Sequence, residues 1–308
     1  MKTDGKDMAG ATFKSGFVAV VGRPNVGKST LVNRLVGGKV SIVSDKPQTT
    51  RNRIMCVLTQ ESAQMVFLDT PGIHKPRGKL GAFMLKAAES ALAEVNVIIF
   101  VVDASRKKGG GDEYIMAKLA QADAPVILAA NKIDLLPDSR AILPAIKSYA
   151  DDLPLSAAVP VCALKQTDFA PLLTEIGKHL TCGPKYFPDG MVTDQPEQML
   201  AAEMIREKIL RATAGEVPHS IAVKTDEMKL RENQDMYIRA TIYVERASQK
   251  GIIIGAGGRL IKEIGQAARA DIQALLGNRV YLDLWVKVKE GWRDRDGALR
   301  EFGFGRTC

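Results

Sequence analysis

The chain has 308 residues, 46 % hydrophobic and 25 % charged, the balance of a folded chain of about two domains rather than a disordered or collagen-like one. Lys and Arg outnumber Asp and Glu by 43 to 35, a formal charge of +8 that is compatible with a polyanionic partner without requiring one. Four scattered cysteines (Cys56, Cys162, Cys182, Cys308) and three isolated histidines exclude a clustered zinc site and a disulfide scaffold, and predict free thiols in a reducing compartment.

Residues 1–15 are polar, without the apolar stretch of a signal peptide, and read as a flexible leader. No apolar run approaches the roughly 20 residues of a membrane span, so a soluble, cytoplasmic protein is expected. Short apolar, β-branched runs follow at 17–22, 64–69, 95–103, 124–131 and 159–163. Segments with helical spacing lie between and after them, at 28–36, 79–94, 112–122, 138–149 and 169–180. Near-continuous apolar strands alternating with helices predict βαβ units and a mostly parallel, doubly wound sheet over 16–180. Residues 181–198 are rich in Pro, Gly and Asp and read as a linker. Beyond them the order changes to helix (198–213), two alternating strands (220–228 and 235–245), a Gly-rich turn, helix (259–276) and strand (280–289). This is a separate α+β module over 199–290, with a tail at 291–308.

The first strand runs into Gly22-Arg23-Pro24-Asn25-Val26-Gly27-Lys28-Ser29-Thr30, a G-x-x-x-x-G-K-S pattern in its required strand–loop–helix setting. The two glycines let backbone N–H groups wrap a phosphate, and the following helix turns its positive end toward the anion. Lys28 is then placed for the β- and γ-phosphates and the Ser29 hydroxyl for Mg²⁺. Asp69-Thr70-Pro71-Gly72 ends the strand at 64–69, where the carboxylate can hold a Mg²⁺-bound water and the Gly72 N–H can sense a γ-phosphate. Asn131-Lys132-Ile133-Asp134 ends the strand at 124–131. Guanine presents N1–H and N2–H₂ as adjacent donors that a buried Asp134 carboxylate accepts together; adenine has no such pair. The Lys132 stem can lie along the base, and Asn131 can tie this loop to the phosphate loop. Cys162-Ala163-Leu164 closes the next strand and offers backbone N–H groups to the guanine oxygen.

Together these stretches resemble the translation-factor-related GTPases, which implies a Ras-like domain with a switch loop at 37–53. Thr50, with Thr49 as runner-up, then corresponds to the Mg²⁺-binding switch threonine. Ile73 follows Gly72 where Ras has a water-orienting Gln, so slow intrinsic hydrolysis is expected. In the resembled bacterial families an Asn at the place of Asn25 helps K⁺ supply the missing positive charge. Lys28, Thr50, Asn25 and Gly72 are thus the catalytic candidates, and Ser29, Thr50 and Asp69 (through water) the Mg²⁺ set.

In the second module, Ile254-Gly255-Ala256-Gly257-Gly258-Arg259 opens an amphipathic helix. Its G-x-x-G resembles the loop with which KH domains clamp about four single-stranded nucleotides, and the element order matches a type II KH fold. Helical spacing sets Arg259, Lys262 and Arg269 on roughly one face. Two departures are evident: Ala256-Gly257 lacks the basic residue often found between the glycines, and from Pro196 onward 19 Lys and Arg face 16 Asp and Glu, a surplus of only 3.

A Ras-like P-loop GTPase domain followed by a type II KH domain ending in LDLWVKVKEGWRD resembles the Era-type GTPases over nearly the whole chain. That resemblance implies GTP hydrolysis, binding of the 3′ end of 16S rRNA, and a role in small ribosomal subunit assembly. It also implies peripheral inner-membrane association, and a monomer is expected. A P-loop metabolic kinase has no use for Asn131-Lys132-Ile133-Asp134. A static RNA scaffold would show no hydrolysis.

Overall fold

The computed structural model describes residues 13–93 and 95–304, so the expected leader lies almost wholly outside the described residues. The first sheet follows from buried apolar strands alternating with amphipathic helices. In chain order these are β1 (Lys14–Val21), α1 (Lys28–Val36), β2 (Ile54–Thr59), β3 (Ala63–Asp69), α2 (Gly78–Ser90), β4 (Val97–Asp103), α3 (Gly110–Leu119), β5 (Val126–Asn131), α4 (Ile142–Ala150), β6 (Ala157–Pro160), α5 (Ala170–His179) and β7 (Thr181–Cys182). The sheet order is β2-β3-β1-β4-β5-β6, parallel except for β2 on β3 and the short β7 on β1. Every residue of β3, β4 and β5 is buried, because helices cover both faces. α1 and α5 pack Leu31, Val32, Leu172 and Ile176 on one face. α2, α3 and α4 pack Ala88, Ile115, Leu119 and Tyr149 on the other.

β2 does not stand out in the sequence as a separate run: IMCVLT is short and follows the polar switch loop. The segment read as a linker is fixed along this edge of the sheet. Val57 N–H donates to Val192 O at 2.9 Å and Thr193 Oγ1 to Met55 O at 2.6 Å. Gln64 accepts the amides of Tyr186 and Phe187. The cover protects an exposed β-edge.

The second unit comprises α6 (Glu197–Ala212), β8 (Ala222–Leu230), β9 (Met236–Val244), α7 (Ala247–Ile254), α8 (Arg259–Leu276) and β10 (Val280–Val288). Its sheet order is β10-β9-β8, with β9–β10 parallel and β8–β9 antiparallel. α8 buries Ile264, Ala268 and Ile272 at four-residue spacing against Ile238, Ala240 and Ile242 of β9. α7 is short and merges with the glycine loop, which is why only its far end registers in the sequence.

The expected tail is folded within its described part. Trp292 starts a 3-10 turn, α9 (Asp296–Glu301) follows, and the Trp292 ring is fully buried with Leu80 and Met84 of α2 and Phe304. Its Nε1–H donates to Ser220 O at 2.9 Å, so one indole joins the two units.

Candidate functional site

The functional loops all leave the carboxyl ends of the parallel strands, the crevice where doubly wound sheets bind ligands. After β1, Gly22 has φ 154° and an added Cβ would sit 2.3 Å from Val101 O; only glycine fits beside β4. At Gly27 (φ 100°) a Cβ would meet Asn131 Nδ2 at 2.3 Å. Lys28 is buried beneath this loop and donates to Gly22 O (3.1 Å) and Arg23 O (2.9 Å). Burial lowers its ammonium to about 8, while the nearby Asp69 carboxylate acts in the opposite direction.

Ser29 Oγ donates to Asp69 Oδ2 at 2.7 Å and lies 2.8 Å from Thr50 Oγ1, whose hydroxyl therefore donates to Ser29. Asp69 is fully buried; desolvation raises its carboxyl against the pull of Lys28, and its Oδ1 has no hydrogen-bond partner among the described residues. Two hydroxyls and one buried carboxylate with a lone oxygen form the hard-oxygen set that suits Mg²⁺. Thr49 turns away, its hydroxyl donating to Lys46 O at 2.7 Å. Gly72 is held against the phosphate loop, where a Cβ would fall 2.6 Å from Pro24 N. Thr70 donates to Val20 O at 2.7 Å, Pro71 is buried, and Ile73 lies in the core with its N–H on Gly22 O. The Ile73 side chain thus has no access to a water. Asn25, at φ 64°, donates from Nδ2 to Asp45 O of the switch loop at 2.6 Å.

Asn131 ties three loops together: Nδ2 donates to Val26 O at 2.8 Å and Oδ1 accepts Ala163 N–H at 2.9 Å. Lys132, at φ 63°, reaches Asn25 O and Asp103 Oδ2, both at 2.8 Å. Two expectations need correction. The Asp134 carboxylate is not buried but stands at the rim, ion-paired with Lys165 at 3.0 Å, and that lysine's hydrogen bond holds it below the usual carboxylate range. Cys162 N–H donates to Gln166 Oε1 and Ala163 N–H to Asn131, so side chains already occupy these two donors, while Leu164 is exposed. Ile133 packs beneath this turn.

A cleft of about 600 Å³ is lined by Arg23, Pro24, Asn25, Val26, Gln48, His74, Arg77, Asp103 and Lys132. Beneath it lies a small chamber bounded by Gly27, Lys28, Ser29, Thr30, Thr50 and Gly72. Gln48, His74, Arg77, Asp103 and Lys165 are absent from the sequence reading. Only Asp103 carried a signal, as the last residue of a buried parallel strand.

In the second unit Gly255 (φ 73°) leaves no room for a Cβ, which would meet Leu260 Cβ at 2.8 Å. Gly257 and Gly258 have positive φ with open space around them, so a backbone can approach closely. Ala256 is exposed, and Ile254 packs against the core. Lys262 and Arg269 line a groove of about 310 Å³ with Ile261, Gly265, Leu282 and Leu284. Arg259, expected beside them, lies outside this lining and pairs with Glu263 at 2.8 Å.

Contacts between the units converge on the switch loop. Arg206 of α6 is buried and donates to Thr49 O. Arg51 is buried and donates to Ile221 O at 2.6 Å and Pro218 O at 3.3 Å. Glu207, whose side chain is wholly buried, accepts Val43 N–H at 2.9 Å and Lys39 Nζ at 2.5 Å. Both residues flanking Thr50 are therefore held by the second unit.

A strand–loop–helix phosphate cradle, a carboxylate–hydroxyl cation set, an Asn-Lys-Ile-Asp base loop and an appended G-x-x-G module define a P-loop GTPase fused to a KH domain. The model of the 50S ribosome-binding GTPase family matches residues 17–132, and that of the KH domain residues 216–293. The chain is 52 % identical to GTPase Era of Alkaliphilus oremlandii (strain OhILAs), over 95 % of this chain and 99 % of that protein. It is 43 % identical, at a TM-score of 0.92, to crystallised Era in complex with MgGDPNP and nucleotides 1506–1542 of 16S ribosomal RNA. An Aquifex aeolicus Era variant bound to GDP.AlF4⁻ matches at the same identity and score; each structure covers 95 % of this chain and 99 % of its own. The chain belongs to the Era family of GTPases.

Proposed function

We propose that the chain binds and hydrolyses GTP, and that its nucleotide state sets the grip of the KH groove on the 3′ end of 16S rRNA during small-subunit assembly. The coupling reading is carried by Thr50: its hydroxyl rests on Ser29 while Thr49 and Arg51 are bonded to the second unit. Asp134 accepts the paired donors of guanine, exchanging Lys165 for the base. Lys28 and the loop amides hold the β- and γ-phosphates. Ser29, Thr50 and, through water, Asp69 would hold Mg²⁺, which neutralises charge on the phosphates when bound. Gly72, packed on Pro24, registers the γ-phosphate with its N–H.

Hydrolysis lacks a water-orienting side chain at Ile73. Asn25 Nδ2 donates to the Asp45 carbonyl at 2.6 Å, and that carbonyl with the Asn25 amide oxygen, once the amide turns, would hold K⁺. The protein works in the cytoplasm as a monomer. No helix of the described residues is long and apolar enough to cross a membrane, and contact with the inner membrane is peripheral.

Single-turnover hydrolysis tests the enzyme reading: GTP is cleaved above the Lys28→Ala background and faster in K⁺ than in Na⁺. A rate equal to that background would reject the enzyme, and equal rates in the two salts the K⁺ site. Crosslinking in cells tests the RNA reading: the 16S 3′ fragment is recovered with the wild-type chain and lost with Gly258→Asp, which puts a carboxylate where a phosphate approaches.

A further inference from the structure

The KH sheet has a second face, opposite its helices, and the described residues cover only part of it. At one end Tyr243 packs on Phe302 at 4.8 Å, within the cluster around Trp292. The other end is open. There Tyr281 and Trp285 of β10 are 55 % and 56 % exposed, an unusual exposure for aromatic rings on a sheet. Tyr237 and Tyr281 are cross-strand partners with rings stacked at 5.9 Å. The Arg231 guanidinium lies 4.6 Å and 4.8 Å from the two ring centroids. Asp283, between Tyr281 and Trp285, accepts Trp285 Nε1–H at 3.0 Å and fixes the indole's orientation. Lys287 is exposed on the same face, and Glu227 is engaged by Lys229 and Arg239.

β10 is an edge strand whose residues alternate between the two faces. Leu282 and Leu284 line the groove beside Lys262 and Arg269, while Tyr281 and Trp285 stand one edge away on the opposite side. We propose that this open half-face is a stacking platform for single-stranded RNA that leaves the groove and turns around the β10 edge. Rigid exposed aromatics interleaved with cations suit unpaired bases, whose faces stack regardless of sequence while Arg and Lys meet the phosphates. The proposal rests on the reading of the groove as the primary RNA site.

The full chain carries two tryptophans, and Trp292 is fully buried, so quencher-accessible emission reports Trp285. RNAs from the 16S 3′ end are titrated at two lengths, about four nucleotides to fill the groove and about twelve to pass the edge. The longer RNA is expected to quench Trp285 and to bind about tenfold more weakly to Trp285→Ala or Tyr281→Ala. The shorter RNA is expected to bind wild type and both variants alike without quenching, which also shows that the variants fold. Quenching-free binding of the longer RNA, equally tight to all three chains, would overturn the platform while leaving the groove intact. Failure of both RNAs to bind would overturn the groove reading and the platform with it.

Discussion

In the proposed reading Asp134 would choose the base from an exposed position, and its partner in this structure is Lys165. Two charge-assisted hydrogen bonds to guanine outcompete one solvated ion pair. Asp134→Ala is therefore expected to weaken GDP by about 100-fold without admitting ADP, measured by calorimetry; an unchanged GDP affinity would remove Asp134 from the base site. At Gly72 the constraint is steric, since a methyl group would sit 2.6 Å from Pro24 N. Gly72→Ala should part the 70–74 segment from the phosphate loop and reduce the affinity for GDPNP more than that for GDP, which competition binding reads directly. The residues legible in the sequence were contiguous ones: phosphate loop, Asp-Thr-Pro-Gly and Asn-Lys-Ile-Asp each carry their chemistry within nine positions or fewer. Lys165, Gln48 and His74 were not legible, because their role comes from loops that meet only after the sheet forms. The occupied Cys162 and Ala163 amides were missed for the same reason: Asn131 and Gln166 reach them through the fold.

The element that matters most is the switch loop at 37–53, bound at Val43, Thr49 and Arg51 by the second unit. Arg206→Gln should release Thr49 and let Thr50 leave Ser29. GTP turnover is then expected to fall and become independent of RNA, whereas wild-type turnover is expected to respond to RNA; an RNA response retained in the variant would contradict the clamp. Glu207 gives a pH test. Burial by itself would raise its carboxyl, but Lys39, the Val43 amide and Arg211 outweigh burial and hold it below its ordinary 4.5. A depressed carboxyl contributes stability above that ordinary value and loses it as pH falls through the lower native one. Wild type should be more stable than Glu207→Gln at neutral pH, and urea midpoints should converge as pH falls below 4.5 through the lowered native value. Helical and strand periodicity made most elements readable, including α8. It did not show β2 or α7, both short and flanked by polar or glycine-rich loops.

Across the whole molecule, Trp292 joins α2, β8 and the C-terminal segment, and the 181–198 segment lies along the sheet edge. The sequence marked these stretches by composition only. A Pro- and Gly-rich run reads as a linker, and a lone Trp near the end reads as tail, because burial against a distant helix leaves no periodic trace. Trp292→Ala is expected to cost about 3–5 kcal/mol and to split thermal unfolding into two transitions, visible by calorimetry; a single unshifted transition would show that the units unfold together without Trp292. On the proposed coupling, a phosphate at Ser29 and Thr50 is felt at a groove on the other unit through this joined structure. The decisive measurement is RNA affinity of the full chain in its two nucleotide states. Binding of the 16S 3′ end should be tighter with GDPNP than with GDP, and Arg206→Gln should erase the difference; equal affinities of the wild-type chain in both states would contradict the coupling.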